Sequence, residues 1–210
     1  MDALLLIDIQ KDFLPGGSLE VKEGDQVIPV ANELQQHFEL VVATQDYHPR
    51  DHGSFAASHE GKKPGDHIEL NGLDQVLWPV HCVQGSEGAE FADDLQMGKV
   101  EKIFRKGVDS EIDSYSGFYD NGHKRSTGLS DYLKDKGVDR VYIVGLAADV
   151  CVKFTALDAL KEGFDTVVVK DGTRAVNLRE DDYENTMQEL KDKGAEIMES
   201  REVIRARAGS

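Results

Sequence analysis

Short apolar runs rich in β-branched residues alternate along this chain with longer amphipathic segments. That alternation restricts the fold more than any other feature. Apolar runs fall at 3–7 (Ala-Leu-Leu-Leu-Ile), 40–44, 100–104, 140–144 and 166–169, and Ile197 marks a short final strand. Segments with helical spacing fall at 25–38, 126–136, 149–162 and 180–193; in the first, Val27, Ile28, Val30, Ala31 and Leu34 share one side. Strands separated by helices argue for an α/β chain with a parallel sheet covered on both faces. With 210 residues and no repeat or linker, the chain reads as a single domain over 1–210. Residues 46–87, rich in Gly, His, Pro and charge, break the rhythm. So long an irregular stretch in a compact domain usually builds a site.

Forty acidic against 24 basic residues give a formal net charge of -16. That field repels phosphate backbones and anionic membranes, so neither nucleic acid nor membrane is an expected partner. No apolar run reaches the roughly 20 residues of a spanning helix. The apolar start ends at Asp8 without a basic leader, which predicts a cytoplasmic protein. Two cysteines, Cys82 and Cys151, make no disulfide framework and are expected as free thiols. Homo-oligomerisation stays open.

Ligands of parallel sheets bind beyond the carboxyl ends of the strands. Asp8 directly follows the first apolar run, and Lys106 follows the run 100–104 after one residue. Cys151 lies just beyond 140–144, where Gly145-Leu146-Ala147-Ala148-Asp149 turns the chain toward a helix. The three therefore converge at one sheet edge. Cys151 is expected in the first helical turn, with Asp149 as N-cap, where free N–H groups and the helix dipole favour thiolate and can hold an oxyanion. Asp8 can take the thiol proton and return it to a leaving amine, and Lys106 can keep Asp8 oriented. The plainer alternatives are a packing cysteine, a turn-capping acid and a solvated lysine.

Asp46 and His48 stand two apart in an extended segment and so point to one side. His81 completes three protein ligands, an open set of the kind that suits catalysis by zinc, iron or manganese. His52, His59 and His67 compete for the same role, His52 most closely; the alternative is that these histidines bond the loop together. Cys82 is read as packing. Phe13, Tyr47 and Trp78 arise from the same loops and suit a planar ring, and Tyr115 serves as wall or support.

Six blocks, in order, carry a family likeness. They are Leu6-Ile7-Asp8-Ile9-Gln10-Lys11-Asp12-Phe13, Gln45-Asp46-Tyr47-His48-Pro49 and Trp78-Pro79-Val80-His81-Cys82-Val83, then Phe104-Arg105-Lys106-Gly107, Tyr115-Ser116-Gly117-Phe118 and Gly145-Leu146-Ala147-Ala148-Asp149-Val150-Cys151-Val152. Together they resemble the isochorismatase-like cysteine hydrolases, and within them the nicotinamidases (pyrazinamidases). The resemblance implies a three-layer α/β/α sandwich with a six-stranded parallel sheet. It implies hydrolysis of nicotinamide to nicotinate and ammonia through a cysteine thioester, pyrazinamide included, in NAD salvage. Asp8, Lys106 and Cys151 become the catalytic triad, and Asp46, His48 and His81 the ligands of one divalent ion, zinc first. The Ala147 and Cys151 N–H groups become an oxyanion hole, with a cis peptide between Leu146 and Ala147. Phe13, Trp78 and Tyr115 are the expected substrate wall. The alternative is a relative acting on a carbamoyl or aliphatic amide. Two departures stand out: many relatives carry Trp at the position of Tyr47 and Thr at that of Ala148, which leaves the hydrogen bonding of the nucleophile turn open.

Overall fold

The computed structural model of the chain describes residues 1–209. In chain order the elements are β1 (Asp2–Ile7), α1 (Val27–Gln35), β2 (Leu40–Asp46), β3 (His67–Leu70), β4 (Leu73–Val76), β5 (Val100–Lys106) and α2 (Leu129–Asp135). There follow β6 (Arg140–Leu146), α3 (Lys153–Lys161), β7 (Asp165–Arg174), α4 (Asp182–Asp192), β8 (Glu196–Met198) and α5 (Ser200–Ala208). Six strands form one parallel sheet in the order β5-β2-β1-β6-β7-β8, and β3 and β4 form a separate antiparallel hairpin.

Two cores explain why β1 is apolar at every position from Ala3 to Ile7 rather than at alternate ones. Ala3, Leu5 and Ile7 face one core with Leu129 of α2, Ala156 of α3 and Leu190 of α4. Leu4 and Leu6 face the other with Ile28 and Leu34 of α1 and Val203 of α5. The result is the expected three-layer sandwich. β5 lies at an edge of the sheet, and its exposed Lys102 and Arg105 discourage pairing with another strand.

Register brings the polar strand ends together. Asp46 pairs with Lys106 across β2 and β5, and Ile7 lies between Thr44 and Gly145. Gly145 has φ +129, and a Cβ there would lie 2.1 Å from the Ile7 carbonyl oxygen, so only glycine allows β6 to end against β1. The Leu146–Ala147 peptide that follows is cis, as the family likeness implies.

Several boundaries differ from expectation. The first helix is shorter than 25–38 because Gly24–Gln26 forms a separate 3-10 turn before it. β7 runs on to Arg174 instead of stopping at 169. The stretch 46–87 is not wholly irregular, for it holds the β3–β4 hairpin. The segment 149–162 divides into a π-helical turn, Ala148–Val152, and α3. The terminal helix α5, outside the expected elements, carries a capping box between Glu199 and Glu202.

Candidate active site

Lys106 is the hub of the carboxyl edge. It is 1% exposed, a rare state for a lysine, and its ammonium meets four groups. Nζ lies 2.8 Å from Asp8 Oδ2 and 2.8 Å from Asp46 Oδ1, and it donates to the Ser114 carbonyl at 2.9 Å and to Cys151 Sγ at 3.3 Å. Burial alone would discharge this amine, but the Asp46 and Asp8 carboxylates outweigh it and hold the ammonium charged.

Asp8 is fully buried and adopts a left-handed backbone (φ 47) just past β1. Its Oδ1 accepts the Thr44 hydroxyl at 2.7 Å. Its Oδ2 has the ion pair with Lys106 but no well-angled hydrogen bond, and so it keeps a free lone pair. Burial raises the Asp8 carboxyl against the pull of Lys106, and the Asp46 carboxylate adds to the rise.

Cys151 sits in the Ala148–Val152 turn, and the structure corrects two expectations about it. Burial pushes its thiol well above the ordinary value; Asp8 and Asp46 add to this, and Lys106 offsets only part. At rest the sulfur is therefore a thiol, because desolvation and two neighbouring carboxylates disfavour the thiolate. Nor does Asp149 cap the turn, which has no side-chain cap. Its carboxylate instead accepts the N–H groups of Val176 and Asn177. Cys82, by contrast, is the inert packing thiol expected: buried, with its pKa also pushed well up by burial.

The three expected metal ligands meet beside this cluster. Asp46 Oδ2 lies 3.4 Å from His81 Nε2 and 3.8 Å from His48 Nδ1, and all three residues are buried. Each histidine is already tied through its other nitrogen. His81 Nδ1 bonds the Pro79 carbonyl at 2.7 Å, and His48 Nε2 bonds Asp113 Oδ1 at 2.9 Å. Those acceptors place the protons away from Asp46, leaving His81 Nε2 and His48 Nδ1 as lone-pair donors toward it. His48 Nδ1 is a buried nitrogen with no hydrogen-bond partner, an orphan that a divalent cation would satisfy. One carboxylate and two neutral imidazoles fit such an ion. Gly107 lets the backbone pass this ring closely, since a Cβ there would lie 2.7 Å from His48 Nε2.

His52 falls outside the Asp46 set and groups instead with His48 and Asp113. Its Nδ1 bonds Ser54 Oγ at 2.8 Å. His59 bonds the Gly53 carbonyl, and His67 pairs with Asp74 on the hairpin, so both are loop-binding residues.

Between thiol and ligand set lies a small pocket. Phe13, Trp78 and Tyr115 all line it, as expected, together with Ala147 and Cys151. The Tyr115 hydroxyl accepts Trp78 Nε1–H at 3.1 Å and Gln75 Nε2–H at 2.8 Å, so the β3–β4 hairpin braces this wall. Val150, from the last motif block, lines it as well; Asp113, Gln75, Leu19 and Val176 also belong to the site or its supports, and no periodicity or motif marks these four. Tyr47 lies against the other core, with the Arg105 guanidinium 4.1 Å over its ring.

The isochorismatase domain model matches residues 2–202. A nicotinamidase of Escherichia coli is 46% identical over 199 residues, 93% of each chain. The solved structure of an Acinetobacter baumanii nicotinamidase–pyrazinamidase superposes with a TM-score of 0.93 at 46% identity, covering 96% of this chain and 97% of the other. A Pyrococcus horikoshii pyrazinamidase in complex with zinc superposes with a TM-score of 0.77 at 38% identity, covering 94% and 98%. No helix among the described residues is long and apolar enough to cross a membrane.

Proposed function

The chain belongs to the isochorismatase family, and from that premise we propose that it is a nicotinamidase, hydrolysing nicotinamide to nicotinate and ammonia in a cytoplasmic NAD-salvage role. The observation that carries the reading is the single buried ammonium of Lys106 joining thiol, carboxylate and ligand set beside one aromatic-lined pocket.

Phe13, Trp78 and Tyr115 present flat apolar surface to a pyridine ring, and the carboxamide carbon then faces Cys151. Asp46, His48 and His81 would hold one divalent ion, zinc foremost. When bound, that ion supplies an electrophilic anchor for the ring nitrogen. Asp8 Oδ2 takes the thiol proton as the sulfur bonds the amide carbon, and the Ala147 and Cys151 N–H groups receive the developing oxyanion. Asp8 then gives the proton to the amide nitrogen, the C–N bond breaks, and ammonia leaves a thioester. Water attacks the thioester carbon while Asp8 accepts its proton, the C–S bond breaks, and Asp8 returns the proton to sulfur. Because the thiol is protonated at rest, the first transfer and the attack are coupled, which makes Asp8 indispensable. Asp8→Asn is expected to lower kcat about 10²–10⁴-fold with the fold intact, read by ammonia release.

The ligand assignment has its own test. His48→Ala should lose bound metal by elemental analysis, raise KM for nicotinamide about 10-fold or more, and leave Cys151 open to alkylation. Full metal occupancy in that variant would refute the assignment. The whole reading is tested by incubating the zinc-loaded protein with nicotinamide and measuring equimolar nicotinate and ammonia, with and without chelator. Turnover of carbamoyl or aliphatic amides in preference to nicotinamide would favour the other reaction of the family.

A further inference from the structure

The turn that carries the nucleophile also carries a carboxylate with no place in the chemistry above. Asp149 reaches out of that turn to the connection between β7 and α4. Its Oδ1 accepts the N–H of Val176 and its Oδ2 that of Asn177, each at 2.9 Å. One carboxylate thus holds two consecutive backbone amides, a charge-assisted two-point contact. Asn177, at the contact, has a left-handed backbone (φ 53), and its own Oδ1 accepts the Tyr183 N–H at 3.1 Å near the start of α4.

Ala175 anchors the start of this connection in the core that holds Leu129 and Leu190. Residues 177–181 are exposed, and Leu178 at its crest is 61% exposed. Val176 is half-buried, packs against the core that includes Phe13 and Ala147, and lines the cavity beside Cys151. The wall it forms therefore depends on a carboxylate two residues from the nucleophile.

We propose that Asp149 is a positioning residue that clamps the β7–α4 connection over the cavity, and that Val176, so held, determines specificity. The clamped wall admits a flat, unsubstituted six-membered heteroaromatic amide and excludes one bearing an added alkyl group. The choice of substrate rests on the nicotinamidase reading; the clamp does not.

Three variants and two readouts test this. Asp149→Ala should raise KM for nicotinamide about 10-fold or more, while kcat changes less than about 3-fold. Val176→Ala should cut the preference for nicotinamide over a methyl-substituted nicotinamide about 10-fold. Combining the two should cost little beyond Asp149→Ala alone, since the clamp acts through Val176. Asp149→Asn keeps one acceptor oxygen and should fall between wild type and Asp149→Ala, which preserves the test if the alanine variant folds poorly. Trypsin cleavage after Arg179, a measure independent of the reaction, should quicken about 10-fold in Asp149→Ala and stay at the wild-type rate in Val176→Ala. An unchanged KM together with unchanged cleavage would overturn the proposal, as would a loss of kcat alone, which would place Asp149 with the nucleophile. Were the wild type to hydrolyse no nicotinamide, the specificity role would fall, and the trypsin comparison would decide the clamp by itself.

Discussion

Cys151→Ala is expected to abolish amide hydrolysis, with kcat falling about 10⁴-fold or more while the protein keeps its fold. The change removes a single sulfur atom from a residue that lines the cavity, so the packing loss is minor beside the chemical one. Loss on this scale follows if sulfur forms a bond to the substrate carbon. A metal-bound water attacking directly would leave activity within reach of wild type, because the Asp46, His48 and His81 set is untouched by the change. Ammonia release from the purified variant, beside circular dichroism to establish folding, separates the two routes. Alkylation of wild type by iodoacetamide, slowed by nicotinamide, should give the same loss.

Lys106→Met is expected to injure both stability and chemistry. The ammonium is the common partner of Asp8 and Asp46, both buried, and it bonds the Ser114 carbonyl as well. Removing one member of such a cluster strands the remaining charges away from water, at a cost of about 3–5 kcal/mol. The urea midpoint should drop accordingly when measured with chelator present, so that bound metal does not mask the excess carboxylate charge. Turnover should fall about 10²-fold or more even where the variant is fully folded, because Asp8 loses the contact that orients it. Lys106→Arg should not rescue it, since a guanidinium cannot enter a site built for one buried ammonium. A methionine variant with wild-type stability and turnover would reduce Lys106 to a space filler.

Much of this site was legible in the chain, and the exceptions have physical causes. The rule that ligands gather at the carboxyl ends of parallel strands placed Asp8, Lys106 and Cys151 together, and the register of β1, β2, β5 and β6 brings them there. What spacing could not reveal was Lys106 meeting Asp46 as well as Asp8, which joins ligand set and nucleophile in one electrostatic unit. That contact depends on the Asp46–Lys106 pairing between two strands some 60 residues apart. Asp113 and Gln75 lie in stretches without useful periodicity, and each acts on the site through a partner, His48 or Tyr115.

The β3–β4 hairpin did leave a sign: Asn71-Gly72 between Leu70 and Leu73 is a strong two-residue turn signal, overshadowed by the polarity around it. Helix α5 left less, because Ser200 and Val203 are its only buried residues and its apolar face is too narrow to stand out. Asp149 was misassigned for a different reason. An acid ahead of a helix usually caps it, but here the backbone passes through a π-helical turn and the carboxylate serves a neighbouring loop.

The central claim is a covalent one, and mass spectrometry addresses it directly. Wild-type protein mixed with nicotinamide, quenched in acid during turnover and digested, should yield the Cys151 peptide with a nicotinoyl group in place of the thiol hydrogen, and the Cys82 peptide unmodified. Sustained release of nicotinate with Cys151 unmodified at every time point, and undiminished after its alkylation, would contradict the account.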